Sequence, residues 1–571
     1  MGLSNPIWAI LSFSLGILLV QHKPEYSVRE SYFLTALSIF FTTLVGRIVY
    51  TTILYPEFFT PLRHIQTPKG RSWLKGNTQS LFIESPGSRC LRWMEEMPDA
   101  ELIRYYLVGN MERVLVVSPK ALSEVLTLKS YDFRKPDLAR ISLERITGNG
   151  VLLAEGDEHK RQRKNLMPAF SYRHVKNLYP VFWAKAVEMV QMIGDELRSK
   201  PNSQEEEDDD DKTIIVGDWA SRATLDAISI ASMGRDFDTL RDPDNELNNH
   251  YRRLLMEPSV KMRILFLVAM FLVDLGFFQK IPIKRNRDVR AASSYIRTVA
   301  RQLVREKKER LEKKTQDANG NANTNDAVTA ASDEIDIMSV ALTSGGFSEE
   351  NLVDQMMTFL AAGHETTASA FQWVIYALCK HPGIQSRLRD EIRANLPSPS
   401  HTSNTISASI IDSLPYLNAV CNETLRFYPS VPLTIREAAR DTTVVGHHIP
   451  KGSLLVLAPE ATNRSKELWG PDADVFDPER WMGPGRANTG GADTNYAFLS
   501  FLHGPRGCIG QGFAKGELAC MVAVTVGRFQ MELKNPDAEL KMRRGVTVSP
   551  IDGVEARFRV VEGSMSSFLH V

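Results

Sequence analysis

Cysteine is scarce in this sequence. Among 571 residues there are five cysteines, and no two of them form a C-x-x-C pair: Cys90, Cys379, Cys421, Cys508 and Cys520. Their odd number and irregular spacing argue against a disulfide framework and against a structural zinc site. Any chemistry carried by cysteine must therefore depend on a single thiol in a distinctive setting.

The sequence also has no excess of positive or negative charge. Lysine plus arginine and aspartate plus glutamate each number 68, and charged residues make up 24% of the chain. Without a basic excess, the sequence lacks the electrostatic footprint of a nucleic-acid-binding protein. No G-x-G-x-x-G motif follows a predicted strand and opens a helix, so we expect no nicotinamide dinucleotide site within the chain.

The N-terminal part of the sequence has long runs almost without charge. Residues 7–20 are apolar, and residues 32–55 form a second apolar run that is broken only by Arg47. These runs predict one or two membrane-anchoring helices, with two buried core helices as the alternative. No basic residue precedes the first run and no small-x-small cleavage site follows it, which disfavours a signal peptide.

The residues after these runs predict an orientation and a division of the chain. Four cationic side chains follow, and the positive-inside rule places them, with the bulk of the chain, on the cytosolic side: Arg63, Lys69, Arg71 and Lys75. We therefore divide the chain into a membrane anchor, residues 1–60, and one large domain, residues 61–571. Pro56, Pro61 and Pro68 predict the end of the anchor helix and a hinge between the two parts.

Most of the remaining sequence has helical periodicity. Strand-like patterns appear only in patches such as 440–445 and 453–457, so the predicted fold is mainly α with small β-sheets. Residues 201–212 and 315–333 are too polar to be buried and are predicted to be surface loops. The apolar run 264–273 is too short to span a bilayer, and it predicts either a core helix or a surface that dips into the membrane.

One predicted helix is unusually long. Ser348 is a good N-cap and Pro382 prevents continuation, so about thirty residues should form one helix of roughly 45 Å. Its middle interrupts the apolar pattern with Ala362, Gly363, Glu365 and Thr366. The Thr366 hydroxyl is expected to bind the Ala362 carbonyl at a local bulge, which opens a groove. The alternative is a helix crossing that tolerates glycine, with the polar residues facing outward.

The most distinctive stretch is FLHGPRGCIG, residues 501–510. Its pattern F-x-x-G-x-R-x-C-x-G resembles the haem-binding motif of the cytochrome P450 family, through Phe501, Gly504, Arg506, Cys508 and Gly510. Three more segments resemble family motifs in the expected order. They are the oxygen-binding motif at 362–367, E-x-x-R at Glu423–Arg426 and the P-E-R-W element at 478–481. The resemblance extends from about Pro61 to the C-terminus, and it implies the cytochrome P450 fold with a long central helix over haem b.

The resemblance also implies the residues of a haem site. Cys508 is expected to be the axial ligand of the haem iron, because a thiolate ligand favours O–O cleavage. Arg506, Arg436 and Arg163 are expected to bind the haem propionates, and Ala362 and Gly363 to lie against the haem. His159 stands where the family commonly has tryptophan, so its contact with a propionate is an open question. Glu423, Arg426 and Arg480 are expected to form the family's structural triad.

The implied activity is insertion of one oxygen atom of O₂ into a lipophilic small molecule. Glu365 and Thr366 would deliver protons, which indicates a true monooxygenase. Electrons would come from NADPH through NADPH-cytochrome P450 reductase on the endoplasmic reticulum membrane, with cytochrome b5 as a second donor. Alternatives are a haem-thiolate isomerase or dehydratase that needs no reductase, and a non-catalytic haem-binding scaffold. The polar insertions and His159 resemble those of fungal members that modify terpenoid or polyketide skeletons. The residues expected to line the substrate pocket are Phe359, Ala362, Val431, Leu433 and Thr434.

Two N-x-S/T sequons, at Asn422 and Asn463, would indicate a lumenal domain if they were glycosylated. Because Asn422 adjoins Glu423, we expect no glycan there.

Overall fold

The architecture was analysed in a computed structural model of the chain. The structure describes residues 5–29, 31–72, 75–77, 86–199, 213–255, 262, 281, 283–320, 336–396, 406–551 and 553–561.

Helices dominate this part of the chain. In chain order they are α1 (Asn5–His22), α2 (Tyr32–Val49), α3 (Pro86–Glu96), α4 (Pro119–Ser123), α5 (Asp137–Thr147), α6 (Gly156–Leu166), α7 (Tyr172–Val175), α8 (Tyr179–Ser199), α9 (Val216–Met233), α10 (Glu246–Leu255), α11 (Lys284–Gly320), α12 (Ile337–Thr343), α13 (Glu349–Lys380), α14 (Pro382–Asn395), α15 (Ala408–Asp412), α16 (Pro415–Phe427), α17 (Pro459–Thr462), α18 (Lys466–Trp469) and α19 (Gln511–Arg528).

The strands are short and form small sheets. They are β1 (Leu102–Tyr106), β2 (Glu112–Val116), β3 (Phe133–Arg134), β4 (Thr213–Ile215), β5 (Thr434–Ala438), β6 (Thr442–Val444), β7 (His447–Ile449), β8 (Leu454–Leu457), β9 (Phe529–Leu533), β10 (Met542–Arg544), β11 (Val548–Pro550) and β12 (Glu555–Val560). One sheet has the order β1-β2-β8-β5-β3, a second β4-β12-β9, and β10-β11 and β6-β7 are two-stranded pairs. The predicted fold class, mainly α with small sheets, is confirmed.

The long predicted helix is α13. The Ser348 side chain accepts a hydrogen bond from the Asn351 amide at its start, and the helix ends at Lys380, two residues before Pro382. Most of its side chains are buried, because α9, α11 and α19 pack around it. The helix is α-helical throughout, so the predicted local bulge is absent.

Pro56 does not end the anchor helix, contrary to the sequence prediction. Helix α2 continues without a break as a π-helical segment, Tyr50–Phe59, which contains Pro56. The helix ends where the Thr60 amide donates to the Tyr55 carbonyl, so it continues past Pro56 although proline has no N–H to donate. Beyond it, Leu62 and Ile65 are buried in the apolar cluster that covers the five-stranded sheet.

The segment Tyr50–Phe59 is also docked on the large domain. Asn110 Nδ2 donates to the Thr52 carbonyl at 2.6 Å, and Tyr106 Oη donates to the Pro56 carbonyl at 3.3 Å. An ion pair of 2.8 Å joins Arg71 to Glu57. The first two contacts hold the end of the anchor helix against the β1–β2 hairpin, and the third holds it to the segment that follows the helix.

Three sequence predictions concern segments that the structure describes only in part or not at all. Residues 201–212 and 264–273 lie outside the described residues. Of the predicted loop 315–333, residues 315–320 are the last turns of α11, and the remainder lies outside the described residues.

Candidate active site

The Cys508 loop lies between a short 3-10 helix, Gly504–Arg506, and the start of α19. The Cys508 amide donates to the Phe501 carbonyl at 2.8 Å, which closes the loop on itself. Cys508 keeps solvent-accessible surface, yet burial by the surrounding protein raises the pKa of its thiol. The thiol is therefore accessible at the surface of its loop, although protein surrounds it closely. The Gly510 amide and the Arg163 guanidinium act in the opposite direction and favour the thiolate.

The two motif glycines that flank this loop have different reasons to be glycine. Gly504 has φ +73°, and a Cβ there would stand 2.2 Å from the Leu126 carbonyl oxygen. Only glycine fits this position. At Gly510, the nearest protein atom to a Cβ is in the Phe170 ring, at 3.8 Å. Packing against Leu126 thus requires glycine at position 504. The described protein atoms do not require glycine at position 510.

Phe501 and Phe170 connect this loop to its surroundings. Phe501 is half-buried and lies beside the Phe498 ring, with a centroid distance of 6.4 Å. Phe170 packs edge-to-face on Phe359 of α13 at 5.5 Å. Through Phe170, the Cys508 loop and the central helix share one apolar cluster.

Several of the predicted cationic residues are brought close together. Arg506 is buried, donates to the Phe133 carbonyl at 2.7 Å and forms an ion pair with Glu155 at 2.6 Å. Arg436, on β5, is also buried. Since β3 pairs with β5, Phe133 and Arg436 lie on adjacent strands.

The cations of this cluster repel one another. Burial lowers the pKa of Arg436 to about 10, and Arg506 adds to the effect. Burial, followed by the charges of Arg506 and Lys135, lowers the pKa of His159 to about 4. His159 is therefore neutral at physiological pH, and its Nδ1 lies 3.1 Å from Tyr131 Oη.

Sequence reasoning missed two residues of this cluster. Burial, together with Arg436 and Arg506, lowers the pKa of Lys135 well below its usual range. Glu155 accepts a hydrogen bond from the Lys135 amide and contacts Arg506. Neither residue belongs to a recognisable sequence motif. A single lysine before a proline, such as Lys135 before Pro136, is typical of an ordinary turn.

Arg163 lies closer to the thiol than expected. Its Nη1 donates to the Gly507 carbonyl at 2.6 Å, and Cys508 raises its pKa against the larger effect of burial. Arg163 thus supports the cysteine loop directly.

The residues present fit a dianionic haem. Arg436 and Arg506 are buried cations, Glu155 is the carboxylate that contacts Arg506, and an anion bound beside them would favour the protonated form of Lys135. Two further carboxylates would balance the excess positive charge. Haem propionates have this chemistry, and the accessible Cys508, two residues after Arg506, would supply the axial donor that a haem-thiolate centre needs.

The three residues of the predicted triad lie in direct contact. Arg426 binds Glu423 through two hydrogen bonds of 2.8 and 2.7 Å, and both side chains are fully buried. Glu423 also accepts from the Asp477 amide and Trp481 Nε1, each at 2.9 Å. Arg480 Nε lies 3.7 Å from Glu423. The alternative of an exposed i,i+3 pair is excluded, because this network joins α16 to the segment 473–481.

In the central helix, the predicted hydrogen bond between Thr366 and Ala362 is present, but no groove opens at Gly363. Thr366 Oγ1 donates to the Ala362 carbonyl at 2.8 Å. A Cβ on Gly363, however, would stand 2.6 Å from Ile228 Cγ1 of α9. The space at Gly363 is filled by a close helix crossing, as the alternative interpretation proposed.

The second predicted proton-delivery residue points toward the β10–β11 hairpin. Glu365 Oε1 accepts a hydrogen bond from Thr547 Oγ1 at 3.1 Å, and Arg543 Nη1 lies 3.9 Å away. Thr547 and Arg543 were not found from the sequence, because they are about 180 residues distant in the chain and lie in no motif.

A buried acid beneath the site was also missed. Glu517 of α19 is fully buried, and neither of its carboxyl oxygens has a well-formed hydrogen bond in the described part of the chain. Burial raises the pKa of Glu517 well above its usual range, and the smaller effect of the Thr367 hydroxyl acts in the opposite direction. Glu517 is therefore a neutral acid between α19 and α13.

Sequence comparisons agree with this geometry. The family model for cytochrome P450 matches residues 71–555. The cytochrome P450 monooxygenase sphH of Aspergillus fumigatus is 51% identical over 95% of this chain and 96% of its own length. FSL4 of Gibberella zeae is 42% identical over 93% of each chain, and FUM15 of Gibberella moniliformis is 39% identical over 91% of each. The chain therefore belongs to the cytochrome P450 family and is a haem-thiolate monooxygenase.

Proposed function

We propose that this protein uses haem b, held by Cys508, to insert one oxygen atom of O₂ into a lipophilic small molecule of a fungal terpenoid or polyketide pathway. The observation that carries the proposal is the accessible Cys508 thiol two residues after the buried Arg506, whose positive charge adds to that of the buried Arg436. The relatives described above are all named as cytochrome P450 monooxygenases, which supports the reaction class.

The residues that would hold the haem have distinct tasks. Cys508 would be the axial ligand, Arg506 and Arg436 would bind the propionates, and Phe501 would shield the sulfur from water. Haem bound in this way would supply the binding and reductive activation of O₂. Arg163 and the Gly510 amide favour the thiolate, so they would limit protonation of Cys508. Neutral His159 is able to donate one hydrogen bond to a propionate.

Glu365 and Thr366 would control the supply of protons. Glu365 is hydrogen-bonded to Thr547, near the partly exposed Arg543. A proton taken from water at the β10–β11 hairpin would reach the Glu365 carboxylate through the Thr547 hydroxyl. The Thr366 hydroxyl donates its hydrogen to the Ala362 carbonyl. The lone pairs of the hydroxyl oxygen therefore remain available to accept a hydrogen bond.

Electrons would come from NADPH-cytochrome P450 reductase, and cytochrome b5 would be a second donor, on the endoplasmic reticulum membrane. The basic face of α6 is the proposed docking surface. Lys160 and Arg161 there are paired with Asp157 and Glu158 of the same helix, and Arg163 is turned toward the Gly507 carbonyl. The exposed Lys164 would therefore carry the positive charge of this face toward an acidic partner.

The proposal is tested by co-expression with a reductase in a host that is offered candidate lipophilic scaffolds. We expect a product with one added oxygen, NADPH consumption in proportion, and the absorption band of a thiolate-ligated carbon monoxide complex. Cys508→Ser should lose both the band and the product. Product formation without NADPH would favour an isomerase or dehydratase, and a band without turnover of any scaffold would favour a binding protein.

A further inference from the structure

Helices α1 and α2 pack against each other in antiparallel orientation. Ser12 Oγ lies 3.3 Å from Thr43 Oγ1, and the Phe13 and Phe40 rings are 5.9 Å apart. Gly16 in turn lies against Ala36. As the residue number rises along α1, the number of the partner on α2 falls, so the two helices form a hairpin.

The hairpin depends on a close approach at Gly16. A Cβ on Gly16 would stand 2.5 Å from the Ala36 Cα atom, whereas a Cβ on Gly46 of α2 would meet no atom within 4 Å. Small residues that bring helix backbones together are typical of helix pairs within membranes. Thr35 adds a polar contact at the turn, where it accepts a hydrogen bond from the Val28 amide at 2.9 Å.

The outward faces of both helices are apolar and uncovered by the described part of the chain. Large exposed side chains occur on α1 and on α2, among them Ile10, Leu15, Leu18, Phe33, Phe41 and Val45. Polar and charged residues are concentrated in the turn between the helices, at His22, Lys23, Glu25 and Arg29. Such apolar faces are stable in the hydrocarbon of a bilayer, whereas the polar turn is stable in water.

The two helices match the thickness of a bilayer to different degrees. The continuous helix Tyr32–Phe59 is long and apolar enough to cross a membrane. The apolar part of α1, residues 7–20, is about 21 Å long at 1.5 Å per residue, which is shorter than the roughly 30 Å of hydrocarbon in a bilayer. Local thinning of the bilayer around the hairpin would accommodate this shortfall.

We propose that α1 and α2 insert together as a helical hairpin, so that the start of α1 and the catalytic domain lie on the same side of the membrane. The polar turn, residues 22–31, then lies on the opposite side. The turn contains two cationic residues, Lys23 and Arg29, whereas four follow α2 between Arg63 and Lys75, which favours the cytosol for the catalytic side. The inference rests on the proposed location in the endoplasmic reticulum.

Glycosylation reporters test this topology in the full-length protein in microsomes. A flexible segment with an acceptor sequon is placed before α1, between Glu25 and Tyr26, or after Val571. We expect a glycan only on the reporter in the turn. A glycan on the reporter before α1 would mean that α2 alone crosses, and it would overturn the hairpin. A turn reporter without a glycan, in protein that resists carbonate extraction, would also overturn it. Release by carbonate would instead refute the membrane location.

Cross-linking tests the packing of the two helices. Ser12→Cys with Thr43→Cys is expected to form a disulfide under mild oxidation, so that cleavage at a protease site inserted in the turn leaves the two fragments joined. Ser12→Cys with Thr51→Cys is the control, because Thr51 lies about 12 Å farther along α2. Adding Gly16→Val should reduce the cross-link several-fold, whereas adding Gly46→Val should not. Equal cross-linking in all four proteins would refute the packed hairpin.

Discussion

At the scale of single residues, burial decides the chemistry of several ionisable groups in this protein. His159 and Glu517 differ in charge type, yet burial favours the neutral form of both. For His159 the neighbouring cations strengthen this effect, whereas for Glu517 the smaller effect of Thr367 acts in the opposite direction. Each neutral group is therefore able to donate one hydrogen bond without adding charge to the interior.

The acid Glu517 gives a prediction about pH. Its pKa in the folded protein is raised, so between the unfolded value of about 4.3 and the folded value only the folded protein keeps the proton. The free energy of unfolding should therefore fall by about 1.4 kcal/mol per pH unit over this window, from this group alone. Glu517→Gln cannot ionise and should lose this slope.

The measurement is the thermal unfolding midpoint at several pH values above 5, for wild type and for Glu517→Gln. The advantage of the glutamine variant should grow as the pH rises. Glu467→Gln changes an exposed acid of α18 and serves as the control, with no such trend. Parallel curves for Glu517→Gln and wild type would contradict a neutral buried acid.

A second residue-scale prediction concerns the proton supply. Thr366→Ala should uncouple NADPH consumption from product formation, because the hydroxyl next to the Ala362 carbonyl is lost. Thr547→Val should slow turnover by removing the hydrogen bond to Glu365. The ratio of product to NADPH consumed is the measurement, and full coupling in Thr366→Ala would rule out its proposed role.

At the scale of secondary-structure elements, the network around Glu423 holds the segment 473–481 against α16. Besides Glu423, Arg426 binds the carbonyls of Asn463, Ala473 and Val475.

Glu423→Ala would leave Arg426 buried without its anion, which should lower the free energy of unfolding by about 3–5 kcal/mol. We expect this variant to lose haem incorporation, measured as haem per mole of purified protein. Glu479→Ala removes an exposed ion pair with Arg387 in the same segment and should retain its haem.

The crossing of α9 and α13 gives another prediction at this scale. Gly363→Ala would place a methyl group within 2.6 Å of Ile228 Cγ1, and overpacking of this kind costs about 1–3 kcal/mol. Gly383 lies in the first turn of α14, where an added Cβ would meet no atom within 4 Å. Gly383→Ala should therefore be neutral or stabilising by about 0.5 kcal/mol. Thermal unfolding of both variants checks the difference, and equal midpoints would contradict the tight crossing.

At the scale of the whole molecule, the anchor and the catalytic domain are joined by defined contacts. Asn110 has a φ of +55°, is buried, and reaches the Thr52 carbonyl at the end of the anchor helix. Asn110→Gly removes this bond and permits the same backbone angle. We expect faster hydrogen exchange in residues 50–59 with unchanged exchange in α13. Unchanged exchange at 50–59 would indicate that the junction does not depend on Asn110.

The sequence by itself determined the long helix, the fold class and the identity of the chemical groups, because capping, periodicity and the motif at 501–510 are local in the chain. It also contained the apolar runs of the anchor. Only the tertiary structure decided what those groups contact. Ile228 fills the space at Gly363, Lys135 and Glu155 join the cationic cluster, and Thr547 reaches Glu365. These partners come from distant parts of the chain, and burial and long-range packing have no counterpart in a short sequence pattern.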